Sequence, residues 1–357
     1  MLVALALVAA CRLAAAPSPG QAVDITGQSG EWDGGHRMFP FALQDTSIDG
    51  YKLYYSAGSR YEISDSAWGQ WMIGLATSKD GVSWGYDQST HLPVVPAMRW
   101  LQGDVLNPDD LAKVFDSVYA IGACAIRDGP VYKMWYTGWA GEVDHVIGGI
   151  ENKINYRIGY ATSKDGVTWE KYPGKAGSGA VFVPDPANPH DCKGVGQPFV
   201  VKDGGVYRMW YEGFDGKSWR ILSATSQDGI AWTRTGTVID MGGKDALDRR
   251  GARNPVIIDR AGSRELWYQG RSSSDPKHHV LRAVFKNGAW EKMPGEVVLH
   301  PPTPVTGNEA IYVDSALVLP DGSLQVYFAR ENLTTSQVTE GIVENRRYSI
   351  YTEVVNP

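Results

Sequence analysis

Cysteine is nearly absent from this chain, which removes a disulfide framework from the means that could hold it together. Of three cysteines in 357 residues, Cys11 lies in the apolar start, while Cys124 and Cys192 fall in different sequence repeats. The last two are expected as free thiols, and no Cys/His spacing suits zinc. A surplus of charge is lacking too. Lys and Arg number 34 against 40 Asp and Glu, a net charge of −6, with no basic stripe of the kind a nucleic-acid groove requires. After residue 30 there is no linker, charge run or low-complexity tract, so residues 21–357 read as one domain.

The apolar start, Met1-Leu-Val-Ala-Leu-Ala-Leu-Val-Ala-Ala-Cys11, is too short to cross a bilayer. It is similar to the end of a bacterial secretion signal, and Val8-Ala-Ala-Cys11 to a lipoprotein cleavage box, although no Lys or Arg precedes it. Residues 1–20 are therefore expected to be a signal and short linker. The mature protein would be secreted or held in the cell envelope, with a lipid anchor if Cys11 is acylated.

What is present is a repeat. Ala76-Thr-Ser-Lys-Asp-Gly-Val-Ser-Trp84 returns as Ala161-Thr-Ser-Lys-Asp-Gly-Val-Thr-Trp169 and Ala224-Thr-Ser-Gln-Asp-Gly-Ile-Ala-Trp232. Each reads as a strand, an Asp-Gly turn and a return strand, because Gly accepts positive φ without a Cβ clash. Upstream lies an aromatic strand, Val131-Tyr-Lys-Met-Trp-Tyr-Thr-Gly138, repeated as Val206-Tyr-Arg-Met-Trp-Tyr-Glu-Gly213 and more loosely as Glu265-Leu-Trp-Tyr-Gln-Gly270. Tyr51–Tyr55 and Leu324–Phe328 are its divergent copies. Apolar groups on both faces imply sheets covered on both sides. A lead-in segment completes the unit: a seven-residue step joins Asp33 to Pro40, Asp116 to Ala123, Asp191 to Pro198, Asp248 to Pro255 and Asn308 to Ser315.

Five such units imply an all-β, five-bladed β-propeller of four-stranded antiparallel blades. The last unit stops after its third strand, so Ala22–Thr26 is expected to close it from the N-terminus. In this topology the lead-in segments and the loops between strands two and three share one end of the axis, where binding is expected. The Asp-Gly hairpins lie at the other end.

These motifs resemble the five-bladed glycoside hydrolases: the family 43 arabinanases and xylosidases, the family 32 and 68 fructan enzymes and, more distantly, the family 130 mannoside phosphorylases. The hairpins are also similar to the structural Asp-boxes of sialidases, but five units do not suit that six-bladed group. The resemblance implies a carbohydrate substrate and an acid/base pair of carboxylates in an axial pocket, since glycosidic cleavage protonates the leaving oxygen. It implies no cofactor, leaves a structural calcium open, and suits a monomer without nucleic acid. Family 43 places carboxylates near the inner strands of its first three blades. The matching residues here are Phe39, Gly122 and Gly196-Gln197, and the carboxylate so placed is instead Asp314.

The catalytic pair is therefore sought among Asp33, Asp116, Asp191, Glu212, Glu309 and Asp314. A residue kept by every unit usually serves the unit, which weighs against the repeated aspartates. Candidates for substrate contacts are His36, Arg37, Trp139, Gln197, Asp248, Arg253, Asn254 and Arg271, with inter-blade salt bridges as the alternative role for the charged ones. His145, His278 and His279 are expected to be solvated loop residues. The activities that stay open are glycoside hydrolysis, non-catalytic glycan binding by a surface lipoprotein, and lyase or phosphorylase chemistry on the same scaffold.

Overall fold

The computed structural model of the chain describes residues 21–23, 32–58, 71–85, 92–96, 114–140, 155–173, 179–260, 262–272, 277–297, 299, 310–338 and 341–355. Among them every regular element is a strand. After the short β1 (Gln21–Ala22), β2 (His36–Asp45), β3 (Gly50–Gly58) and β4 (Trp71–Ser78) pair antiparallel, with β5 (Trp84–Gly85) on β4. The same order recurs in β6 (Tyr119–Asp128), β7 (Val131–Trp139) and β8 (Arg157–Ser163), where β9 (Glu170–Lys171) and β10 (Ala180–Phe182) both join β8. It recurs in β11 (Gly194–Asp203), β12 (Val206–Phe214), β13 (Trp219–Ser226) and β14 (Thr233–Ile239). β15 (Gly251–Arg260), β16 (Ser263–Arg271), β17 (His278–Lys286) and β18 (Ala289–Lys292) repeat it.

Finally, β19 (Ile311–Val318), β20 (Leu324–Val338) and β21 (Gly341–Val355) pair in turn, and β1 adds to β21 through Gln21–Thr352 and Ala22–Tyr351. The expected N-terminal pairing is thus seen as far as Val23, whose N–H donates to Ile350 O. Asp24–Thr26 lie outside the described residues. Single parallel bridges, Trp71–Tyr119 and Trp219–Gly251, join neighbouring units.

The second strand of each unit fills both interfaces. Tyr54 and Tyr55, Trp135 and Tyr136, Trp210 and Tyr211, Trp267 and Tyr268, and Tyr327 and Phe328 are all buried. Their polar atoms consequently need partners. One residue of the pair reaches a neighbouring unit: the Tyr54 hydroxyl donates to Gly166 O, Trp135 Nε1 to Gly229 O and the Tyr327 hydroxyl to Gly81 O, at 2.6–2.8 Å. The acceptors are the glycines of the Asp-Gly phrase. Gly229 has φ +82°, and a Cβ there would meet the Trp135 ring at 2.7 Å, so the site excludes a side chain twice over.

The hairpin aspartates hold the turn itself. Asp165 Oδ1 accepts the N–H groups of Val167 and Thr168 at 2.8 Å and the Ser163 hydroxyl at 2.9 Å. Partial burial works to raise this carboxyl, but the hydrogen bonds from Thr168, Val167 and Ser163 outweigh it and bring it down to about 2. Cys124 is buried and Cys192 half-buried, both as free thiols. Asp165→Ala is expected to lower stability at neutral pH by about 1 kcal/mol. The depressed carboxyl stabilises the fold fully above its ordinary 3.8 and loses that contribution as pH falls towards 2, so the difference between wild type and variant in urea unfolding should vanish over that interval.

Candidate functional site

The first strands β2, β6, β11, β15 and β19 each break register at the same place: between Met38 and Phe41, Ile121 and Cys124, Gly196 and Phe199, Arg253 and Val256, and Val313 and Ser315. A residue with positive φ stands in four of these bulges: Phe39 at 52°, Gly122 at 59°, Gln197 at 45° and Asn254 at 49°. Asp314 stands in the fifth. Bulges re-aim side chains, and these five residues line a common pocket. The tilted rings of Phe41 and Phe199, 5.7 Å apart, also line it. A Cβ at Gly122 would collide with the Gln197 amide, so the glycine gives that side chain its place.

In three of the bulges the preceding unit supplies a side-chain acceptor for the stranded backbone N–H. Gly122 N–H donates to Ser56 Oγ at 2.9 Å, Gln197 N–H to Thr137 Oγ1 at 2.7 Å and Asn254 N–H to Glu212 Oε1 at 2.7 Å. Ser56, Thr137 and Glu212 hold the same position, directly after the buried tyrosine of the second strand. Glu212 does the work of a hydroxyl with a carboxylate, and the extra charge recruits Arg253. The Arg253 Nε and Nη2 donate to Glu212 Oε2 at 3.2 and 3.0 Å, and its guanidinium lies 4.3 Å from the Trp219 ring centroid. Burial opposes the charge on Arg253, but the adjacent Glu212 makes Arg253 hold its proton more firmly than usual.

Asp314 differs from Glu212 in every respect that matters for proton transfer. Asn254 Nδ2 donates to its Oδ1 at 2.7 Å, while its buried Oδ2 has no hydrogen-bond partner. Burial raises this carboxyl well above the usual carboxylate range, the Asn254 bond works against the rise, and the Glu212 charge adds to it. Among the described residues lining the pocket it is the one carboxyl group. A carboxyl whose proton affinity is raised and whose second oxygen is unused is suited to donate a proton.

The repeated aspartates are placed elsewhere. Asp33, Asp116, Asp191 and Asp248 are each at most 2% exposed, and each accepts a tyrosine hydroxyl of its own unit at 2.9 Å, from Tyr55, Tyr136, Tyr211 and Tyr268 respectively. Cations join three of them: Lys171 with Asp116 at 2.6 Å, Arg234 with Asp191 at 2.7 Å and Lys292 with Asp248 at 2.5 Å. Arg37 is buried with Nε 3.8 Å from Asp33. Trp139 packs on Tyr119 at 4.7 Å beneath the surface and offers no open platform. Glu309 and His145 lie outside the described residues.

His278 and His279 are not the loop residues expected from sequence, because β17 starts at His278 and takes in both. His279 is buried with Nδ1 3.0 Å from Glu296. The His278 ring lies 5.1 Å from Tyr312, and burial, then Arg271, Arg253 and His279, bring its pKa down to about 3. Arg271 ends β16 and is exposed, while His36 stacks at 5.7 Å on Trp71. Sequence reasoning passed over Tyr312 and the capping hydroxyls of Ser56 and Thr137. The signal for the latter was the polar residue that follows the aromatic pair in successive repeats.

No family model matches the chain. It is 35% identical over 150 residues to an uncharacterised protein of Mycobacterium tuberculosis, covering 41% of this chain and 44% of that one. It is 36% identical over 93 residues to a 1,2-β-oligomannan phosphorylase of Thermoanaerobacter sp. strain X514, covering 25% and 29%. The chain thus matches less than half the length of these curated relatives. A solved structure from the family 130 mannoside phosphorylases, a family that contains glycoside hydrolases targeting β-1,2-mannosidic linkages, superimposes with a TM-score of 0.60 over 96% of this chain and 93% of that one, at 17% identity. A thermostable family 43 glycoside hydrolase gives 0.55 over 94% and 96%, at 14% identity. The fold is that of the glycoside hydrolase and phosphorylase propellers.

The buried acid has a stability consequence. The folded protein keeps the Asp314 proton at pH values where the unfolded chain releases it, so raising the pH above the ordinary 3.8 works against the fold. Asp314→Asn removes that burden while keeping an acceptor for Asn254. In thermal melts the variant is expected to gain about 2–4 °C over wild type at pH 8, with the gain shrinking towards pH 4.

Proposed function

We propose that the protein is a carbohydrate-active enzyme that cleaves glycosidic bonds in an oligo- or polysaccharide, with the axial pocket as its site and Asp314 as the proton donor. We read the antiparallel units as five four-stranded blades, the last closed by β1. That arrangement would set the five bulges around one axis and make their pocket the place where the scaffold concentrates its irregular residues. The observation that carries the reading is the buried Asp314 carboxyl, oriented by Asn254 and with Oδ2 unengaged, whose proton affinity burial raises. As the bond to the leaving oxygen breaks, that oxygen gains negative charge, and an acid whose proton affinity burial has raised can neutralise it. Glu212 is fully buried and its two oxygens are taken by Arg253 and the Asn254 N–H, so its role is to shape the site.

The acceptor in the reaction follows from what stands opposite the acid. Hydrolysis needs a second carboxylate to activate water or attack the sugar, and Glu309 stays a candidate for it. Phosphorolysis is the second reading, because an inorganic phosphate dianion attacks without a base and Asp314 is the one carboxyl lining the described pocket. The likeness to an oligomannan phosphorylase supports the same reading. The apolar start and Cys11 support a protein exported to the cell envelope.

The test is incubation of the full chain with β-linked manno-oligosaccharides and a panel of plant, algal and microbial glycans, with and without phosphate. Free sugar released without phosphate marks a hydrolase, and sugar 1-phosphate released together with the shortened sugar only when phosphate is present marks a phosphorylase. Asp314→Asn is expected to lower turnover by roughly 100-fold or more while the protein stays folded. Saturable glycan binding with no product from wild type would return the protein to the class of binders.

A further inference from the structure

Outward from Asp314, the seam between β16–β17 and β19 carries two arginines, Arg250 and Arg271, that pair with no acid side chain among the described residues. Gln269 Nε2 donates across this seam to Ile311 O. Arg271, two residues on, leaves the same face of β16 one pleat nearer solvent. His278 is its register partner on β17 and shares that face, with its ring against Tyr312. The charges that act on the Tyr312 phenol are those of Arg253, Glu331, Arg271 and Asp314, which places Arg271 and the acid around one ring. Arg250 adjoins them, since its N–H donates to Arg271 O at 2.8 Å.

Exposed arginines are ordinarily solvated or paired, and among the described residues several others are paired. Arg220, Arg234, Arg253, Arg260 and Arg264 each meet a carboxylate within 3.2 Å. Among the described residues, no acid side chain pairs with Arg250 or Arg271. Burial together with the charges of Arg250 and Arg253 makes Arg271 less willing to hold its proton. His278, the neighbour that could have added charge, is kept neutral, and its buried Nδ1 has no hydrogen-bond partner.

Aromatic rings continue from this point around the mouth. Centroids step from His278 to Tyr312 at 5.1 Å, Tyr312 to Tyr348 at 6.1 Å, Tyr348 to His36 at 5.8 Å and His36 to Trp71 at 5.7 Å. All five residues are half-buried.

We propose that the mouth binds an acidic glycan: an oxyanion carried by the sugar is held by Arg271 and Arg250, and the neighbouring sugar rings lie on the arc from Tyr312 to Trp71. Guanidinium groups hold carboxylate and sulfate oxygens through paired N–H donors, and aromatic rings accept the C–H face of a pyranose. This deepens the reading of the pocket as a glycan site and names the class of glycan it takes.

The test is calorimetric titration of the full chain with three oligosaccharides of equal length, neutral, uronate-bearing and sulfated, and with inorganic phosphate alone. An acidic oligosaccharide is expected to bind at least roughly tenfold more tightly than the neutral one, the yield of one charge-assisted contact. Comparison of the uronate and sulfate arms identifies the oxyanion. Arg271→Gln should erase the preference and Arg271→Lys should keep part of it, while Tyr312→Ala should weaken acidic and neutral ligands alike. Equal binding of neutral and acidic oligosaccharides, or a preference that survives Arg271→Gln, overturns the proposal. So does binding of phosphate alone without a preference among the sugars, which would assign the arginines to phosphate. Asp314→Asn separates this inference from the enzymatic one, since loss of turnover with the acidic preference intact supports the binding site independently of catalysis.

Discussion

Buried aromatic donors that must find an acceptor hold the units of this protein to one another. Tyr54, Trp135 and Tyr327 come from second strands packed on both faces, where an unpaired hydroxyl or indole N–H would be costly. Each finds the carbonyl of a hairpin glycine in a neighbouring unit, so the tight turn of one repeat is also the anchor of another. This explains why the Asp-Gly phrase recurs with so little change. The aspartate fixes the turn, the glycine permits both its geometry and the close approach of an aromatic ring, and a change in either would loosen two units at once.

The same rule governs the pocket. A bulge in each first strand turns one residue inward, and at Gly122, Gln197 and Asn254 a side chain of the preceding unit accepts the stranded N–H. Where that acceptor is Ser56 or Thr137, the result is a neutral wall. At Glu212 it is a carboxylate, and the consequences spread: Arg253 is drawn in, Asn254 is oriented, and Asp314 faces a fixed negative charge that helps keep it protonated. The chemistry of the site thus grows from one charged substitution at a capping position.

Much of this was legible in the chain. The strand-turn-strand repeats mark the units and their order. Of the residues that break the repeat, Glu212, Arg253 and Asp314 meet around Asn254, whereas Arg37 sits beside Asp33 and Glu309 lies outside the described residues. The suspicion that repeated aspartates serve the scaffold agrees with their tyrosine partners. Other assignments were not legible. Glu212 was a candidate acid because nothing in the linear pattern shows that both its oxygens are taken. His278 and His279 were placed in a loop because strand β17 starts earlier than the apolar pattern suggests. Tyr312 has no motif at all, and its place between Arg271 and Asp314 depends on how two units meet.

The sequence by itself determined an all-β chain of repeated antiparallel units, the hairpin chemistry that turns each of them, and the positions where one repeat departs from its siblings. Period-two patterning and Asp-Gly turns are local, so the chain spells them out directly. Tertiary structure alone decided which carboxyl is engaged and which is free, and which arginines are paired. Those states depend on neighbours contributed by other units, tens of residues away in the chain, and a carboxyl acquires its proton affinity only once those neighbours have excluded water from it.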